Sequence, residues 1–96
     1  MELRAKEIES TQKVYVLSIT DTGDGIVETN NVIASSDEVL VNSYYNIFQN
    51  IVANLSNSPE TLKDITIEIS VGGNIVSLSK ENIDKVTFNI TSLKNL

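Results

Sequence analysis

The sequence predicts an α+β domain: an antiparallel sheet of about five strands, in the order β-β-α-β-β-β, with one long helix packed on one face. Three observations carry this. Two β-branched segments flank a concentrated turn signal near the start. Apolar residues then recur at three- and four-residue steps through positions 36–56. After that, apolar and polar residues alternate with period two almost to the end.

Residues 1–12 read as a charged arm or short helix, with Leu3, Ile8 and little else to bury, ahead of a single domain over 13–96. Val14 to Thr20 is a strand, β-branched and aromatic, and it runs into Asp21-Thr22-Gly23-Asp24-Gly25. Ile26 to Ala34 reads as its hairpin partner, although its alternation is imperfect. Ser35, with Glu38 three residues on, predicts a capping box, and Asp37 and Glu38 suit the positive end of a helix dipole. Leu40, Tyr44, Ile47, Phe48, Ile51, Val52 and Leu55 form the expected buried stripe, with Val41 and Tyr45 on its flank. Asn57-Ser58-Pro59 ends the helix, with Pro59 suited to the first position of one more short turn.

Ile65, Ile67, Ile69 and Val71 then alternate with polar residues, Gly72-Gly73-Asn74 supplies a tight turn, and Ile75 to Leu78 returns. Val86, Phe88 and Ile90 mark the last strand. At 1.5 Å per residue a helix over 36–56 spans ~30 Å. Strands of six or seven residues span only ~20–23 Å, so the helix is expected to cross the sheet obliquely or overhang it.

Composition limits function. Ninety-six residues is a single-domain length, and an apolar fraction of 41% supports one core. The absence of cysteine excludes disulfides and thiolate metal sites. The absence of histidine excludes imidazole acid–base chemistry, and zinc would have only carboxylates to bind. The N-terminal charges are mixed with no apolar run behind them, and the uncharged stretch Val39 to Pro59 is broken by Asn and Ser. Neither a signal peptide nor a membrane span is predicted, and the cytoplasm is the expected location.

Asp21-Thr22-Gly23 is similar to the Asp-Thr-Gly signature of aspartic proteases, whose one-lobed retroviral type is also about this length and works as a dimer. That resemblance covers three residues and implies an Asp21 that shares a proton with its copy. The Ile-Ile-Gly-like segment that braces the family's catalytic loop is missing, and a long helix stands where that fold is nearly all β. Residues 13–71 also resemble the strand and helix order of the ribonuclease H-like fold. Asp21 and Glu38 look like two of that family's Mg²⁺-holding carboxylates, while the 65–71 strand ends in Ser70-Val71 and lacks the third. Asp21, Asp24 and Glu28 do not fit a twelve-residue calcium loop, and no lysine or helix start stands beside Gly72-Gly73-Asn74 to hold a phosphate. No catalytic residue, cofactor or metal is therefore assigned.

Charge is unevenly spread. No Lys or Arg occurs between Lys13 and Lys63, while Asp21, Asp24, Glu28, Asp37, Glu38 and Glu60 all fall there, so the whole net charge of −6 belongs to this window. In a chain with so few basic residues, chance alone yields such windows. As a surface, it would repel nucleic-acid phosphates and attract a basic patch on a protein. The helix adds Asn42, Asn46, Asn50 and Asn54 in steps of four, where Glu and Lys are usual. Codon bias accounts for this; so does a covered face, in a homodimer or against a partner.

The expected function is a small acidic protein-binding module without catalysis, of the kind common among phage and mobile-element proteins that inhibit or modulate a host machine. Asp21, Asp24, Glu28, Asp37, Glu38 and Tyr45 are its expected contact residues, with no direct nucleic-acid or membrane contact. One alternative is a subunit of a phage-like homo-oligomeric assembly, built through the Asn-lined helix or the final strand. The other is a degenerate ribonuclease H-like domain.

Overall fold

The computed structural model describes residues 13–94, except for the side chains of Asp24, Leu62 and Lys94. The proposed arm over 1–12 lies outside the described residues. The five strands are β1 (Lys13–Asp21), β2 (Glu28–Ser35), β3 (Thr66–Val71), β4 (Asn74–Ser79) and β5 (Val86–Lys94), and the helix α1 (Glu38–Ser56) follows β2. The α+β class and the order β-β-α-β-β-β are as the sequence predicts. The strands divide between two antiparallel sheets, β2-β1-β5 and the hairpin β3-β4.

In the first sheet β1 is central. It pairs with β5 through nine consecutive residues, from Lys13↔Lys94 to Asp21↔Val86, without interruption. Its pairing with β2 shifts register between Leu17, opposite Ile33, and Ser18, opposite Asn31. Val32 is thus an extra, bulged residue, and the bulge lets the adjacent Val32 and Ile33 both pack on the core. This is the physical reason for the imperfect alternation of that segment.

The helix lies over this sheet through Val41, Phe48 and Leu55, two turns apart, all buried. Phe48 stacks on Phe88 of β5, with ring centroids 4.9 Å apart and planes 4° apart. The stripe is rotated from the expected one. Val41 is 1% exposed, whereas Leu40 and Ile47 are 39% and 45% exposed. Three- and four-residue spacing admits two neighbouring stripes, and contact with the sheet chooses the one centred on Phe48.

The cap also differs. Asp37 is the N-cap and accepts from the Leu40 N–H at 3.2 Å, while Ser35 Oγ accepts from the Asp37 N–H at 3.0 Å. The capping box predicted from Ser35 and Glu38 does not form, because the chain leaves β2 at Ser35 itself. At the other end Pro59 caps a short 3-10 turn, Glu60–Leu62, and is not its first residue. Nineteen helical residues span ~28 Å, and the nine-residue β1 and β5 reach ~30 Å. The helix is therefore no longer than β1 and β5, and length alone requires neither the oblique crossing nor the overhang expected from shorter strands.

Two contacts tie the second sheet to the first layer. The Asn74 side chain donates from Nδ2 to the carbonyl of the bulged Val32 at 2.9 Å. The Lys80 Nζ donates to the carbonyls of Leu55 and Ser58 at 3.1 and 2.8 Å, at a helix C-terminus whose last turn has no basic residue. Val71, Val76 and Leu78 complete the buried core from this hairpin. Gly72 and Gly73, at φ 54° and 89°, make its turn.

Candidate functional site

The acidic residues of the window fall into two groups. Asp21 ends β1 and Glu28 begins β2, and they stand directly opposite each other across the hairpin. Asp37 and Glu38 lie beyond the other end of β2. Seven residue steps from Glu28 to Ser35 put ~23 Å between the two groups. The structure brings Asp21 and Glu28 together and keeps the helix-start pair apart from them.

Asp21 and Glu28 border a groove of about 480 Å³ between the turn end of the three-stranded sheet and the β3-β4 hairpin. Ile19, Val32, Val76 and Val86 give it apolar walls, and Asn30, Asn74 and Asn82 line it with carboxamides. Two of these amides are committed to backbone. Asn74 holds the Val32 carbonyl, while Asn82 accepts from the Ser79 N–H and donates to the Ser77 carbonyl, both at 2.9 Å. The groove walls are thereby fixed.

Both carboxylates are exposed. Asp21 Oδ1 accepts from the Gly23 N–H at 2.8 Å, an Asx turn that shapes the loop. The loop is further pinned by Thr22, whose N–H and hydroxyl both donate to the Lys85 carbonyl, at 2.9 and 3.2 Å. A Cβ on Gly23 would meet Asp21 Oδ1 at 3.1 Å and the Lys85 stem at 3.8 Å. Among the described residues no lysine hydrogen-bonds either carboxylate, and the Lys80 ammonium is spent on the end of the helix. Opposed like charges in a ladder are destabilising, so the juxtaposition of Asp21 and Glu28 adds nothing to stability beyond the Asx turn that Asp21 makes.

The remaining candidates lie elsewhere. The Asp37 carboxylate is occupied as a helix cap. Tyr45 is half-buried against the core, and its hydroxyl accepts from Gln49 Nε2 at 3.1 Å. The Asp24 side chain lies outside the described set. Asn42, Asn46, Asn50 and Asn54 are all exposed on the side of α1 away from Phe48.

The carboxylate set suggested by the ribonuclease H-like resemblance does not assemble among the described residues. Asp21 and Glu38 are separated by the whole length of β2, too far to share a metal ion, and among the described residues no three carboxylates cluster as a metal site. Asp21-Thr22-Gly23 is a turn stabilised by its own aspartate. No described helix is long and apolar enough to cross a membrane. No protein-family model, curated protein or solved structure matches this chain.

Asn74, Asn82, Val76 and Val86 were missed as site residues by the sequence reading. Gly72-Gly73-Asn74 announces a turn, but nothing local says that the turn docks beside β2.

Proposed function

We propose that the chain is an acidic protein-binding module whose contact is the groove at the turn end of the first sheet. A lysine or arginine of a basic patch on the partner enters it, with its cation on Asp21 and Glu28 and its methylene stem on Ile19, Val32 and Val86. The observation that carries this is the directly opposed Asp21–Glu28 pair, hydrogen-bonded by no described lysine, at the border of a part-apolar groove. Net charge of −6 favours such an encounter and disfavours phosphate backbones. Composition supports a place among small phage-like modulators of a host machine, acting in the cytoplasm.

A lysine-rich peptide titrated into isotope-labelled protein at low salt tests it. Amide shifts are expected along Ile19–Glu28 and at Asn74–Val76, with affinity falling as salt rises. Asp21→Asn retains the oxygen that accepts from Gly23 and is expected to weaken the peptide without disturbing the loop. No shifts at low salt, or shifts centred on Asp37 and Glu38, would overturn the reading.

A further inference from the structure

The two outer strands of the first sheet are treated differently. On β2 the ladder is broken by the bulge at Val32, the freed carbonyl is taken by Asn74, and the strand opens with a charged residue, Glu28. Bulges, charges and coverage are the usual means by which proteins block pairing at a sheet edge. On β5 there is no bulge, no described element covers it, and its single charged residue is the terminal Lys94. The strand is nine residues long and regular throughout, with no proline and no charge from Val86 to Leu93. Among the described residues every backbone hydrogen bond it makes is to β1, and none of those residues pairs with the N–H and C=O groups of its outer edge.

We propose that this edge is the interface of a homodimer, formed by antiparallel pairing of β5 with β5 of a second copy about a two-fold axis at Ile90. The result is a six-stranded sheet in the order β2-β1-β5-β5-β1-β2, with both helices on one face. The strand suits a copy of itself in this register. Ile90 meets Ile90, continuing the apolar face. The large Phe88 meets the small Ser92, and on the outer face Asn89 meets Thr91 and Thr87 meets Leu93. Charge permits it as well: Val86–Leu93 carries no charged residue, so no two like charges oppose there. The acids at Glu28, Asp37 and Glu38 belong to β2 and the residues that follow it, on the far side of β1 from the interface, which lessens repulsion between two net-negative copies. The inference does not depend on the groove.

Light scattering coupled to size exclusion, on the full chain at high micromolar concentration, is the test. A mass twice the chain's 10.5 kDa is expected. The double variant Asn89→Lys/Thr91→Lys changes two exposed positions and sets each new lysine opposite the other's copy, so it is expected to run as a monomer with unchanged circular dichroism. The matched pair Thr29→Lys/Ala34→Lys, also exposed but on β2, is expected to stay dimeric. A monomeric wild type, whether the edge is solvated or covered by another part of the chain, overturns the proposal. So does a dimeric Asn89/Thr91 variant, or a β2 variant that dissociates equally. Should the β5 variant not fold, hydrogen exchange of the wild type decides. Protection that rises with concentration in β5 supports the interface, and a rise confined to α1 or β2 overturns it.

Discussion

Asn74→Ala tests whether the bulge and the second hairpin are one structural device. The substitution removes the 2.9 Å bond from Asn74 Nδ2 to the Val32 carbonyl. Val32 is 3% exposed, so its carbonyl would lose its partner in a poorly solvated place. A net hydrogen bond contributes ~0.5–1.5 kcal/mol, and orphaning a buried acceptor costs ~1–3 kcal/mol. The groove admits water to one side and a carbonyl has two lone pairs, which places the expected loss at about 1–2 kcal/mol. For a domain of this size that lowers Tm by roughly 6–12 °C. In urea the midpoint should fall by about 1 M at unchanged slope. Asn74→Asp keeps the shape but turns a donor into an anionic acceptor facing the carbonyl oxygen, so at neutral pH it should lose at least as much. An alanine variant within about 0.3 kcal/mol of wild type, or an aspartate variant as stable as wild type, would refute the role given to this bond.

Three further outcomes follow from the same geometry. Phe48→Ala deletes a fully buried ring and its stacking on Phe88; it should cost about 3–5 kcal/mol, most of the stability of so small a domain, read as lost cooperativity in a thermal melt. Lys80→Met retains the stem but releases the Leu55 and Ser58 carbonyls; a loss of about 1–2 kcal/mol and faster amide exchange confined to the end of α1 are expected. Glu28→Gln removes one of two opposed carboxylates and should stabilise the fold by up to ~1 kcal/mol, seen as a raised melting temperature, while weakening the lysine-rich peptide in the same preparation.

Much of the fold is legible in the sequence because its strongest signals are local. Asp21 to Gly25, the three- and four-residue periodicity from Leu40 to Leu55 and Gly72-Gly73 each mark an element without reference to the rest. What is not legible depends on contacts distant in sequence. Leu40 and Val41 are equally apolar, and only the sheet beneath decides that Val41 goes in. The division into two sheets turns on whether the β3-β4 hairpin extends an edge of the first sheet or stands apart from it, and both choices satisfy the same alternation. For the site, the charged window is visible, but its separation into two groups is not. That separation follows from β2 running the full distance between Glu28 and the helix cap.

The separation also changes what the acidic window means. Asp37 and Glu38 have a sufficient structural role, since a helix N-terminus lacks partners for its first N–H groups and Asp37 supplies one of them. Asp21 is partly accounted for by the Asx turn, which an asparagine would serve as well. Glu28 has no bonded role of that kind: it is a charge at the β2 edge that opposes Asp21, and among the described residues it receives no hydrogen bond. The cationic partner proposed above would supply the neighbour that Glu28 lacks among the described residues. The case for a cationic partner therefore rests on Glu28 more than on the −6 of the whole chain, and the Gln variant separates the two. If neutralising Glu28 lowers peptide affinity no more than neutralising Glu60, which is exposed on the turn after the helix, then bulk charge is responsible and the groove is not the site.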